Sequence, residues 1–366
     1  MTIDDPALQS LVDRVRAARA AGTPLCIQGG GSKGFYGEAA GGEPFDVTPL
    51  RGVSSYEPTE LVVSARGGTP LAELESVLAE RGQCLPFEPP HFGATATVGG
   101  MVAAGLAGPA RAAVGGVRDY LLGATLLNGR GEVLNFGGQV MKNVAGYDVS
   151  RLLAGSMGTL GVICEVSLKV LPLARATATL RFDMTQSDAI EHLNAWAGQP
   201  LPLSASAWWN DALLVRLQGA VAAVDAALTR LGGETIDSTQ AGAFWAGLRE
   251  QSDEYFVAAL GQIEASAASR LWRMSVPQTA APLALPGEQL IEWGGAQRWL
   301  CSAAPVAQVR EAAAAAGGHA TIFRAADKAA GVFTPLRPPL DRIQRELKRS
   351  FDPDGIFNPG RLYPGL

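Results

Sequence analysis

Histidine and cysteine are scarce in this 366-residue chain, three of the first and four of the second. Cys26, Cys84, Cys164 and Cys301 stand far apart and form no C-x-x-C pair, which excludes a zinc site or iron–sulfur cluster built within the chain. Such isolated thiols fit a reducing compartment and a core-filling role. His91, His192 and His319 are equally isolated, so H-E-x-x-H chemistry is excluded. Charge is low as well, at 18%. Lys and Arg total 30 against 35 Asp and Glu, a net charge of −5, and no stretch supplies the basic face that nucleic-acid binding demands. Long apolar runs are missing: Ala94–Ala110 is uncharged but broken by Gly99, Gly100, Gly105, Gly108 and Pro109. It falls short of the ~20 residues of a spanning helix and reads as a buried, closely approached loop. The start of the chain, with Asp4, Asp5 and Pro6 ahead of an amphipathic stretch to Ala21, reads as a capped helix, not a signal peptide.

What is abundant is glycine, 44 residues, well above the ~7% norm, clustered at a few loops in a chain long enough for about two domains. Three regions differ in texture. Up to about Pro172 short β-branched runs alternate with glycine-rich turns. Leu25–Gln28 and Leu61–Ala65 read as strands. Thr69 and Pro70 open a helix with Leu71, Leu74 and Leu78 on one face and Gly82 past its end. Asn128-Gly129 reads as a two-residue turn joining strands at Ala124–Leu127 and Glu132–Phe136, and Val162–Leu171 is a last strand. From Ala174 to Arg324 the pattern becomes two rounds of strand, helix, hairpin and helix, an antiparallel sheet with helices on one face. The remaining residues hold a helix at Leu340–Phe351 and the turn-rich run Asp352–Arg361.

The sharpest local feature is Gln28-Gly29-Gly30-Gly31-Ser32-Lys33-Gly34, directly after a strand. Consecutive glycines let backbone N–H groups converge on a phosphate, and Lys33 adds charge. Gly29, Gly31 and Gly34 match G-x-G-x-x-G, but a dinucleotide fold needs a helix starting at that loop. Residues 35–45 hold three glycines and a proline and do not form one, which argues against a Rossmann NAD site. Alone, the loop is either a phosphate cradle or a flexible turn. A second small-residue loop, Ala94–Ala103, suits a flat or phosphorylated ligand. Lys142–Asp148 and Gly155-Ser156-Met157-Gly158-Thr159-Leu160-Gly161-Val162-Ile163 follow.

Together these runs resemble the FAD-binding domain shared by vanillyl-alcohol oxidase and p-cresol methylhydroxylase (the PCMH type). The order is the same: pyrophosphate loop, ATxGG segment, KxxxGYD, GSxGTLGVI, and a C-terminal FDPDGIFNPGRL. The resemblance implies an α+β fold in three stretches. Residues 1–173 would form a two-part PCMH-type FAD-binding domain. Residues 174–330 would form an antiparallel-sheet cap of ferredoxin-like repeats, and 331–366 a segment packing back on the FAD domain. It implies that Gly29, Gly30, Gly31, Ser32, Lys33 and Gly34 hold the FAD pyrophosphate. Thr97, Gly99 and Gly100 would line the flavin and its ribityl chain, with Gly158, Thr159, Gly161 and Val162 near the adenine and Asn358 and Arg361 beside the isoalloxazine. Ser32 stands where covalent members carry a histidine, and the second loop has no cysteine, so the FAD is expected to be non-covalent.

Over its whole length the chain resembles, within that family, the smaller FAD-binding subunits of bacterial glycolate oxidase complexes. That implies an oxidoreductase subunit partnered by a catalytic flavoprotein subunit and an iron–sulfur subunit. Its flavin would carry electrons from oxidation of a 2-hydroxy acid to a 2-oxo acid. The implied location is cytoplasmic, with any contact to the inner face of the cell membrane peripheral and through partners. Hydroxy-acid-oxidising relatives carry an E-H-G-x-G segment and a histidine cluster; Gly331–Pro335 contains neither, and no metal site is expected. Arg324, Arg337 or Arg342 remain for a carboxylate and His319 or a tyrosine for a base; no catalytic residue is assigned. The rival readings are a self-sufficient FAD oxidoreductase of a hydroxy acid, aldonolactone or sugar, and a structural subunit without flavin. The subunit reading marks Trp208, Trp209, Trp245 and Trp299 as candidates for a partner-facing surface.

Overall fold

The computed structural model describes residues 5–39, 41–138 and 148–366. The chain forms two compact units. The first comprises residues up to Leu106, Gly116–Pro172 and Pro335–Leu366; the second comprises Ala107–Gly115 and Leu173–Thr334. Short Ala107–Gly115 thus groups with the second unit, and two fastenings explain it: Trp293 Nε1 donates to the Gly108 carbonyl at 3.1 Å, and the Arg111 guanidinium lies 4.6 Å from the Trp293 ring centre.

In the first unit, the helix Pro6–Ala21 begins at Asp5, whose Oδ1 accepts the Ala7 N–H at 2.9 Å, and ends at Gly22 in the left-handed region. Leu8, Leu11, Val12 and Val15 recur at helical spacing. They pack against Leu25, Phe45, Val162 and Phe357, each buried side chain stabilising by roughly 1.5–3 kcal/mol. Leu25–Gln28 pairs in parallel with Glu43–Asp46, and Leu25 also bridges Phe357. A five-stranded antiparallel sheet runs in the order Val53–Glu57, Val62–Arg66, Val162–Lys169, Leu121–Leu127, Val133–Gly137. The alternating burial of Val162–Lys169 follows from a strand with one covered face.

Two local expectations change. The turn after Leu127 is wider than Asn128-Gly129: Asn128 N–H donates to the Glu132 carbonyl, and the positive φ falls on Gly131 at 75°. Asn128 Oδ1 instead closes the loop, accepting N–H bonds from Arg130 and Glu132. Within the uncharged stretch, Val98–Ala104 is a short helix capped by Thr97, not loop, because the Thr97 side chain accepts the Gly100 N–H at 3.2 Å. Of the Lys142–Asp148 motif, residues 142–147 lie outside the described residues.

The second unit is built on an eight-stranded antiparallel sheet. Its order is Glu234–Thr235, Ala176–Asp183, Ala212–Gly219, Leu203–Trp209, Gln289–Glu292, Gln297–Ser302, Arg270–Ser275, His319–Ala325. Gln186–Ala197 and Val221–Leu231 pack on Leu213, Val215 and Leu217, and Val306–Ala315 packs on Trp272, Leu300 and Ile322. Helices on one face were expected, but Ser238–Glu250 and Glu254–Ala265 cover the other. Trp245 Nε1 reaches Thr179 Oγ1 at 3.0 Å, and the Phe256 ring meets Trp299 edge-on at 5.1 Å. Trp299 and Leu300 are successive strand residues and so point to opposite faces. This second layer also overturns three of the four tryptophans read as surface candidates: Trp208, Trp245 and Trp299 are 8%, 5% and 4% exposed, and Trp209 is the partly exposed one.

Candidate functional site

A cleft of about 450 Å³ opens in the first unit where three loops meet. Its first wall is the glycine loop. Leu25 is anchored in the core, and the chain leaves the strand at Gln28 straight into Gly29. A side chain at Gly30 would run into the Thr95 carbonyl, and one at Gly29 into the Thr97 hydroxyl; the Thr95 hydroxyl donates to the Gly30 carbonyl at 2.5 Å. The two small-residue segments therefore lie backbone against backbone, and glycine is demanded by close approach. Gly31 meets a different requirement, a φ of 72°. Among the described residues no acceptor pairs with the N–H of Gly30, Gly31 or Ser32, which leaves these donors to a ligand. Lys33 Nζ donates to the His91 carbonyl at 3.1 Å, which holds its charge beside the loop. His91 itself is engaged by Glu75 at 2.9 Å.

The second wall is the capped turn at Thr97 with Gly100, Ala103 and Ala104. The third is Met157 with Asn358 and Arg361. Asn358 ties the walls together: its Oδ1 accepts the Ile27 N–H and its Nδ2 donates to the Met157 carbonyl, both at 2.7 Å. The Arg361 guanidinium donates to the carbonyls of Gly34, Tyr36 and Glu38, fastening the segment that follows the glycine loop. Burial pulls the Arg361 pKa below the ordinary guanidinium value.

Of the residues the sequence pointed to, Gly29, Gly30, Gly31, Ser32, Lys33, Gly34, Thr97, Gly100, Asn358 and Arg361 line this cleft. Five lie behind it. Gly99 N–H donates to the Gly67 carbonyl at 2.7 Å, and a Cβ there would press on Gly67. Gly158 abuts the Asn358 side-chain amide, and Gly161 the Leu127 carbonyl. The Thr159 hydroxyl donates to the Ser156 carbonyl at 2.7 Å, and Val162 is fully buried. Sequence reasoning did not assign Cys26, Ile27, Gln28, Ala39, Ala103, Ala104 or Met157 to the lining. Met157 carries a signal only in hindsight: it precedes Gly158 in a small-residue run and has a φ of 53°. Sequence reasoning also missed Lys348. Its Nζ donates to Asp352 Oδ2 at 2.6 Å, to the Phe357 carbonyl at 2.7 Å and to the Thr159 carbonyl at 2.8 Å, joining both segments that carry the third wall.

The donors fit an anionic, phosphate-bearing ligand of flavin type: a glycine cradle that any Cβ would fill, three unpaired N–H groups and the nearby Lys33. Among the described residues no group of three or more His, Cys, Asp or Glu is placed to hold a metal ion.

A family profile described as an FAD binding domain matches residues 8–137. The chain is 49% identical to the glycolate oxidase subunit GlcE of Escherichia coli (strain K12), over 98% of both chains. The chain belongs to this family of PCMH-type FAD-binding flavoproteins. A D-lactate dehydrogenase of Archaeoglobus fulgidus is 34% identical over half of this chain and 41% of its own length. The solved structure of an alkyldihydroxyacetonephosphate synthase superposes with a TM-score of 0.62 at 15% identity, covering 96% of this chain and 74% of that one, and shows the shared fold.

Proposed function

We propose that this chain is the FAD-carrying subunit of a complex that oxidises 2-hydroxy acids such as glycolate to 2-oxo acids. It would pass electrons from a catalytic flavoprotein subunit toward an iron–sulfur partner, with the FAD bound non-covalently. The carrying observation is the chemistry of the cleft wall. It offers N–H donors and the cations Lys33 and Arg361, and its lining includes no carboxylate, imidazole or phenol among the described residues. Such a wall suits an anionic cofactor and carries none of the carboxylate, imidazole or phenol groups that commonly take a hydroxyl proton. The near full-length similarity to a glycolate oxidase subunit supports the same reading.

In this reading Gly29, Gly30, Gly31, Ser32, Lys33 and Gly34 hold the pyrophosphate, Thr97 and Gly100 orient the chain beyond it, and Asn358 and Arg361 fix the wall beside the ring system. Gly99, Gly158, Thr159, Gly161 and Val162 support that wall from behind. Bound FAD supplies two-electron acceptance with one-electron release. His319 lies on an edge strand of the second unit, where burial and the Arg273 charge lower its pKa. Among the described residues no helix is long and apolar enough to cross a membrane. The proposed location is the cytoplasm, with any membrane contact made through partners.

The test is the visible spectrum of the purified chain, recorded before and after anaerobic addition of glycolate or D-lactate. A flavin band that the acids leave unbleached is the expected result. Bleaching would show that the chain oxidises the acid itself. No flavin after incubation with FAD would favour a structural subunit.

A further inference from the structure

Residues 85–95 run between the strand Gln83–Cys84 and the Thr97 cap, and two of them, Glu88 and Phe92, have φ of 47° and 52°. Bulky side chains rarely enter that left-handed region, and the strain persists only where the surroundings over-determine it. The contacts that hold this loop are specific. The Phe92 ring meets Phe35 edge-on at 5.4 Å, and the Thr95 hydroxyl donates to the Gly30 carbonyl at 2.5 Å. His91 Nε2 lies 2.9 Å from Glu75 Oε2. Glu75 stands on a rigid base, because Leu71, Leu74 and Leu78 of its helix Leu71–Ala79 are fully buried.

His91 is the junction between this anchor and the cleft. Its imidazole is held by Glu75, while its carbonyl accepts Lys33 Nζ at 3.1 Å. Lys33 lines the cleft, and neither His91 nor Glu75 does. The same ammonium lies 5.8 Å from the Phe92 ring centre and 3.4 Å from Ser32 Oγ. A lysine side chain in water spreads its charge over many rotamers, and a tether at its tip removes that freedom before a ligand arrives. Arg361, the other cation of the lining, is engaged by the carbonyls of Gly34, Tyr36 and Glu38. Where the Lys33 ammonium stands therefore decides how strongly the cleft attracts a phosphate.

We propose that His91, anchored by Glu75, is a positioning residue for FAD: it fixes the loop carbonyl that stations the Lys33 ammonium at the pyrophosphate cradle. It acts through Lys33 and not by contact with the cofactor. A charge placed in advance costs no reordering on binding. The inference rests on reading the glycine loop as the pyrophosphate site.

The experiment strips flavin from the full-length chain and titrates FAD back by calorimetry, with urea unfolding of each variant as a check on folding. Lys33→Met is expected to raise the Kd for FAD about tenfold, the loss of one charge-assisted contact. His91→Ala should raise it about fivefold, but less than about twofold further when Lys33→Met is already present, since a residue acting through another is non-additive with it. His91→Gln places an amide N–H close to the Nε2 position and should recover most of the affinity. Glu75→Ala cuts the same anchor at a helix position that favours alanine, so it decides the matter if His91→Ala misfolds. It should match His91→Ala in size and in non-additivity. Losses undiminished in the Lys33→Met background, no loss in folded Glu75→Ala, or no recovery in His91→Gln would each overturn the proposal while leaving FAD binding by this cleft standing. An unchanged FAD affinity in Lys33→Met, or a parent chain that takes up no FAD, would overturn it together with the reading of the glycine loop.

Discussion

Lys348 and Asp352, one helical turn apart, form a buried ion pair at 2.6 Å whose members are 6% and 1% exposed. Neither lines the cleft, but both fasten the two segments that carry its third wall. Asp352 accepts the N–H groups of Ile356 and Phe357 at 3.1 and 2.8 Å, and Lys348 spans the Thr159 and Phe357 carbonyls. Burial lowers the Lys348 pKa, and the Asp352 charge offsets part of that. Removing one member leaves the other buried and uncompensated, at about 3–5 kcal/mol. Lys348→Met is expected to lower unfolding free energy in urea by that amount and to reduce flavin content. The double variant Lys348→Met/Asp352→Leu should lose less stability than the sum of the singles.

Gly30 and Gly31 are expected to separate steric fit from backbone strain. Gly30→Ala drives a methyl into the Thr95 carbonyl, so the two loops must part and FAD affinity should fall by about tenfold or more, the equivalent of losing one hydrogen bond to a charged group. Gly31→Ala has open space at its Cβ and meets only the strain of φ 72°, about 1–2 kcal/mol. Flavin titration of both variants checks the order. An equal loss in both would show that close approach to Thr95 is unimportant.

Asn358→Ala removes two side-chain bonds at once and strands the Ile27 N–H and the Met157 carbonyl. Unsatisfied buried groups cost about 1–3 kcal/mol each. The expected outcome is a destabilised first unit and weaker FAD retention, read by equilibrium unfolding and by flavin absorbance after gel filtration.

Glu292, fully buried, accepts from Gln297 Nε2 at 3.0 Å and Trp299 Nε1 at 2.6 Å, yet burial dominates and pushes its pKa from 4.5 up to about 7. The folded state therefore holds a proton that the unfolded state releases, and stability contributed by this group is full below pH 4.5 and lost as pH rises to about 7. Glu292→Gln keeps a carbonyl oxygen for both donors and should flatten the fall in unfolding free energy across that window. An unaltered pH profile would rule Glu292 out as its source.

Much of the first unit is legible in the sequence because its devices are local. Asp5, Pro6 and Gly22 mark the first helix, and Leu71, Leu74 and Leu78 the second, at the positions they occupy. The glycine loop announces itself by composition alone. The helices Ser238–Glu250 and Glu254–Ala265 went unread, although Asp237 and Asp253 cap them, because their apolar faces gain meaning only from the sheet face they cover.

By itself the sequence determined the small-residue loops, their order along the chain and the segments able to form strands and helices, since these depend on propensity and on residues a few positions apart. The tertiary structure alone decided which motif residues face the cleft. Gly99, Gly158 and Gly161 carry the same residue type as Gly30, but each is spent on a close backbone or side-chain approach that brings distant segments together. It also set a buried lysine beneath the third wall, and a carboxylate in the second unit with one oxygen unsatisfied. Both follow from long-range packing, which no local spacing encodes.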